Sequence, residues 1–107
     1  MSIMISAFAS SPRDFSQAEN EAIDAASFFL SEGNWREHLR EIFITDPGDD
    51  DLEAEALSRE VEAFIDYHNG KVGLSDHTTW HLGVAQKLRA LIAAARTHGC
   101  DRVGAAG

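Results

Sequence analysis

The chain has 107 residues, 44% of them hydrophobic and 25% charged, with a formal net charge of −9. That size suits one domain with a single core, and the hydrophobic share excludes a disordered composition. The acidic balance argues against direct nucleic-acid binding, where affinity comes from Lys and Arg on phosphates, and the lone Cys100 excludes an internal disulfide.

The charge is polarised along the chain. Between Asp14 and Asp66 there are 16 acidic and 3 basic residues; from Tyr67 onward there are 2 acidic and 5 basic. Such an acidic half attracts proteins whose working surface is basic, including proteins that hold nucleic acid. No apolar run is long enough to span a bilayer. The opening MSIMISAFAS lacks a positive n-region and is not read as a secretory signal. A single cysteine fits a reducing, cytoplasmic setting.

Periodicity and capping predict a compact all-α bundle of about four helices, one domain over residues 1–107. Residues 1–10 are read as either a short extended segment or a lead without structure, and 101–107, ending in GAAG, as a frayed, flexible tail. Ser16-Gln17-Ala18-Glu19 is a capping box that starts the first helix. Phe15, Ala18, Ala22, Ala25, Ala26 and Phe29 share one face of it, Ile23 and Leu30 widen that face, and Gly33 is the expected stop. Phe28 projects with Gln17, Glu21 and Asp24, either to pack under a neighbouring segment or to stand as an aromatic anchor in an acidic field.

Asn34-Trp35-Arg36-Glu37 repeats the capping logic, and Trp35, His38, Leu39, Ile42 and Phe43 predict a short second helix to about Ile44. Trp35 is the second candidate anchor. Asp46-Pro47-Gly48 signals a turn, and Asp49, Asp50 and Asp51 supply cap and first-turn carboxylates for a third helix ending at Asn69-Gly70. Ala54, Leu57, Val61, Phe64, Ile65 and His68 form its apolar face, with Glu55, Arg59, Glu62 and Asp66 opposite. Ser75 caps a fourth helix whose core stripe is Trp80, Val84, Leu88, Leu91, Ile92 and Ala95, and Gly99 ends it. Gly83 and Ala90 are small enough to admit a neighbouring helix.

Chemical signatures are sparse. His77 and His81 stand at i, i+4 and bind zinc only with a third ligand, for which His98 and Cys100 are the candidates from the sequence. The Glu of the metalloprotease motif is missing, and both histidines fall on the stripe that contains Trp80 and Val84, so they are read as core or core-edge residues. Whether His68 joins them is left open. Asp46–Asp51 has the composition of a calcium loop without its order of ligands. Cys100 has no ordered base assigned to it, and no Gly-rich phosphate cradle is present. A helix–turn–helix built on Arg89 and Arg96 sits poorly with the acidity. The chain is therefore read as non-enzymatic, with no cofactor and no metal.

In overall character the chain resembles the small acidic proteins with which phages and mobile elements disarm bacterial defence, anti-CRISPR proteins above all. The resemblance rests on the helical build and on Asp49, Asp50, Asp51, Glu53, Glu55, Glu60, Glu62 and Asp66, which are not a family motif. It implies a protein of the bacterial host cytoplasm that acts by occupancy. An acidic helical face (Asp49, Asp50, Asp51, Glu55, Glu62 and Asp66) would dock on the basic channel of a nucleic-acid-handling partner such as a CRISPR surveillance complex. Target DNA would then be denied access. The alternative is a homodimeric or antitoxin-like helical regulatory protein that uses an apolar surface.

Overall fold

The computed structural model describes residues 2–11, 14–43 and 51–106. Its elements in chain order are β1 (Ser2–Phe8), α1 (Gln17–Ala26), β2 (Phe28–Ser31), α2 (Glu32–Ile42), β3 (Asp51–Glu53), α3 (Ala54–His68), α4 (Asp76–Thr97) and β4 (Arg102–Ala106). The strands form an antiparallel sheet in the order β2-β1-β4-β3. The fold is therefore α+β, and the expected all-α bundle is corrected by this sheet.

The sheet closes over a distance in sequence. β1 pairs with β4 from Met4↔Ala106 to Phe8↔Arg102, so the lead and the expected frayed tail become the two central strands. Alternation then does the rest. Ile3, Ile5 and Ala7 of β1 share a face with Phe28 and Leu30 of β2, Val103 and Ala105 of β4, and Leu52 of β3. All of these belong to the core or pack against it. The other face carries Met4 and Phe8, partly buried, and Phe29, which is 69% exposed.

Local signals place most helix ends. Ser16 accepts from the Glu19 backbone N–H at 3.1 Å, and the Glu19 carboxylate accepts from the Ser16 N–H at 3.1 Å, which completes the capping box. Ser75 caps α4 through the Thr78 N–H at 3.1 Å. At the far end of α4, the Cys100 N–H reaches the Ala95 carbonyl at 2.8 Å and the Gly99 N–H the Arg96 carbonyl at 3.4 Å. Gly99 has φ +72°, so this is a Schellman ending, with buried Cys100 against buried Ala95. Gly70, φ +77°, ends α3 as expected.

Three boundaries differ. α1 stops at Ala26, and Phe28–Ser31 leaves the helical path to pair with β1. Ser31, not Asn34, then caps α2, and Gly33 lies inside its first turn. α3 begins at Ala54 with no side-chain cap, because Asp51–Glu53 is taken up by pairing with β4. Strand pairing thus takes residues at the end of α1 and before α3 that the helical reading left to a helix or its cap, while α2 keeps a side-chain cap from Ser31.

The long helix α4 is the centre of the helical layer, touching α1, α2, α3, β1 and β4. Val84, Ala85, Leu88, Leu91, Ile92 and Ala95 give it one continuous buried face. Each large aliphatic buried there contributes about 1.5–3 kcal/mol. Trp35 of α2 and Leu57, Val61 and Phe64 of α3 fill the space beside it. Gly83 is exposed, and a Cβ there would meet nothing within 4 Å, so no helix among the described residues approaches at that position.

Candidate functional site

Two features concentrate chemistry. The first is a groove of about 470 Å³ between the end of α2 and α3, lined by Glu41, Ile42, Glu60, Ala63, Phe64, Tyr67 and His68. Positions 60, 63, 64 and 67 fall on one side of α3 through its 3.6-residue period. Phe64 is buried and stacks edge-on with His68 at 4.6 Å; Tyr67 is 67% exposed. Lys71 Nζ sits 3.5 Å over the Tyr67 ring, where the π face attracts a cation. His68 Nδ1 is buried with no hydrogen-bond partner among the described residues. The groove thus combines aromatic side chains and two acidic residues in its lining.

The second feature is a histidine cluster joining α2 to the start of α4. His81 is fully buried; its Nδ1 lies 2.7 Å from Nδ1 of buried His38, and its Nε2 lies 3.0 Å from Nε2 of His77. His77 is exposed and stands 3.9 Å from Glu37 Oε1. Trp80 covers His38 with ring centroids 4.2 Å apart. Burial, reinforced by His81 and His77, pushes the His38 pKa down from 6.5 to about 4. Burial and His77 also push His81 down, against the opposing pull of Glu41 and Glu37. The buried rings are therefore neutral at pH 7, and the contact between His38 and His81 is an N–H···N hydrogen bond, while His38 Nε2 is buried with no hydrogen-bond partner among the described residues.

The residues expected to form the acidic face are divided by the structure. Asp49 and Asp50 lie outside the described residues, and the Asp51 backbone is part of β3. Glu55, Glu62 and Asp66 do share one side of α3, but Arg96 binds Glu55 at 3.0 Å and Arg89 stands 3.6 Å from Glu62. Arg96 also donates to Ser58 at 3.0 Å. That side of α3 is an ion-paired seam with α4. Of the candidate anchors, Trp35 is fully buried and unavailable, and Phe28 is half-buried against the core. The neighbouring Phe29 is the exposed ring, because strand alternation reverses the faces that a continuous helix would assign.

Sequence reasoning found the His77/His81 pair and missed its partners. Glu37 and His38 come from α2; His98 instead lies 3.7 Å from Glu19, and Cys100 is buried in the helix ending. His68 belongs to the groove and not to the cluster. A signal for His38 existed, since it lies on the apolar stripe of α2, where a polar ring must find a partner. A second cavity of about 410 Å³ near Cys100 and Asp101 is lined by groups that already pair: Asp101 accepts from Ser10 at 2.7 Å, and Glu55 binds Arg96.

Comparison with protein-family models, with curated proteins and with solved structures gave no match. The class defined here is therefore structural: an α+β domain with a helical layer on one face of an antiparallel sheet. No helix among the described residues is long and apolar enough to cross a membrane.

Proposed function

We propose that the protein is a non-enzymatic binding module that receives a basic protein surface in the groove between α2 and α3. Its specific role in this reading is to occupy the basic nucleic-acid channel of a bacterial complex, in the manner of an anti-CRISPR protein. The observation that carries the reading is that Tyr67, whose ring takes Lys71 Nζ at 3.5 Å, lines a groove together with Glu41 and Glu60. A site that already holds a cation on an aromatic face, beside two carboxylates, matches the chemistry of an incoming Arg or Lys. Asp66 and the acidic balance of residues 14–66 add attraction at longer range.

The test is capture of CRISPR surveillance complexes and other nucleic-acid-handling complexes by the tagged protein at low salt, after nuclease treatment. The expected result is a partner lost from the Glu41→Lys/Glu60→Lys variant and released as salt rises, because exposed charges act through screened attraction. In a DNA-binding assay, the captured complex should lose its target in the presence of the wild-type protein only. Binding that survives both the double reversal and high salt overturns the reading.

A second reading, a homodimer, is favoured by one observation: β2 is an edge strand, and it presents Phe29 69% exposed. Light scattering distinguishes it. A concentration-dependent dimer that becomes monomeric in Phe29→Lys, with no partner captured, supports self-association.

A further inference from the structure

We propose that Glu37, His77 and His81 form a three-ligand site for a zinc-type divalent cation that ties α2 to the first turns of α4. The inference is independent of the groove and its partner.

The donor atoms already converge. His77 Nε2 and His81 Nε2 are 3.0 Å apart, Glu37 Oε1 is 3.9 Å from His77 Nε2, and the three ligand atoms lie within 4.8 Å of one another. Zinc binds imidazole nitrogen and carboxylate oxygen at about 2.0–2.2 Å, so a tetrahedral ion holds two of its ligands roughly 3.3–3.6 Å apart. The two imidazole nitrogens stand inside that spacing and Glu37 Oε1 stands outside it, so side-chain shifts are needed to seat the ion, and the Glu37 side chain is 43% exposed. The i, i+4 spacing puts both rings on one side of α4, and α2 supplies the acid from a second element.

The ligand set fixes the proton arrangement. An ion takes a lone pair from Nε2 of both His77 and His81, so the proton of neutral His81 must reside on Nδ1. That N–H has an acceptor in place, His38 Nδ1 at 2.7 Å under Trp80, and the proton of neutral His38 then sits on its buried Nε2, which has no hydrogen-bond partner among the described residues. A ligating imidazole characteristically donates its other N–H to such a partner, which fixes the tautomer and the ring plane. His38 is thus the positioning residue of the site. The ring of His77 reaches the surface, its side chain being 57% exposed, which leaves a solvent-facing side for a water as fourth ligand. Two imidazoles and one carboxylate select a borderline transition metal over calcium or magnesium, which prefer all-oxygen shells.

The experiment uses the untagged full chain, stripped with a chelator and dialysed against zinc or cobalt. The expected result is one tightly bound ion per chain by elemental analysis, a rise in Tm on adding zinc, and visible d–d absorption from the cobalt form. His77→Ala and Glu37→Gln change exposed or half-exposed side chains and leave the buried core intact. Each should weaken zinc binding by 10-fold or more while keeping the helical circular dichroism. His38→Leu should weaken it about 10–100-fold without removing a ligand. The proposal is overturned if the stripped wild-type protein takes up no zinc on dialysis. It is equally overturned if the Glu37→Gln/His77→Ala double variant binds as tightly as wild type, which would assign the metal to other groups.

Discussion

The stability of the metal-free protein should fall steeply between pH 6.5 and about 4, and His38 should be the main cause. Its folded pKa is about 4 against 6.5 for an ordinary histidine, so the unfolded chain takes up this proton first as the pH drops. The contribution is fully present above pH 6.5, is lost progressively below it, and levels off once the folded protein also protonates near pH 4. A displacement from 6.5 to about 4 corresponds to a total loss of about 3 kcal/mol, with about 2 kcal/mol already gone at pH 5. His81 titrates in the same direction, since burial and His77 lower it, while Glu41 and Glu37 oppose the effect. Asp101, held below the usual carboxylate range by the Ser10 hydroxyl and N–H, weakens the fold only below about pH 4 and leaves the window clear. The assay is urea unfolding with chelator present at half-unit steps from pH 7.5 to 4. His38→Leu should show a shallower slope across that window, whatever its stability at pH 7. A wild-type curve that stays flat from pH 7 to 5, or an unchanged slope in His38→Leu, refutes the argument.

Other expectations follow from burial and backbone geometry. Trp35→Ala empties a fully buried position and should cost about 3–5 kcal/mol by denaturant titration. Gly83→Ala should stabilise by about 0.5–1 kcal/mol, because the site is helical, exposed and open to a Cβ, whereas Gly99→Ala, at φ +72°, should cost about 1–2 kcal/mol. Thermal melts of the two variants should therefore move in opposite directions. Reversing Glu55 and Glu62 to Lys sets like charges beside Arg96 and Arg89. It should lower stability by up to about 1 kcal/mol while leaving partner capture intact, unlike the Glu41/Glu60 reversal. Loss of capture in the Glu55/Glu62 variant would return the docking surface to the outer side of α3.

The sequence by itself determined the features that are local. Ser16 with Glu19, Ser75, Gly70 and Gly99 each satisfy or end a turn within a few residues, and their roles could be read from spacing alone. The buried stripes of α2, α3 and α4 were largely legible for the same reason, since a helix repeats its face every three or four residues, but Trp80, expected at the head of the α4 stripe, is 38% exposed and His81 is the buried side chain there. Tertiary structure decided everything that needs a distant partner. The Arg102–Ala106 strand, with Gly104 and two alanines, has weak strand propensity; β1 on one side and β3 on the other hold it in the sheet. Phe28–Ser31 fits a helical stripe, yet its backbone pairs with β1, which exchanges the roles of Phe28 and Phe29. The i, i+4 pair of His77 and His81 was visible, but Glu37 and His38 join it only because α2 packs across the start of α4. The carboxylates of Glu55 and Glu62 were equally visible on α3. Their charge is offset by Arg96 and Arg89, reached only across the packed α3–α4 interface, and no local pattern encodes that pairing.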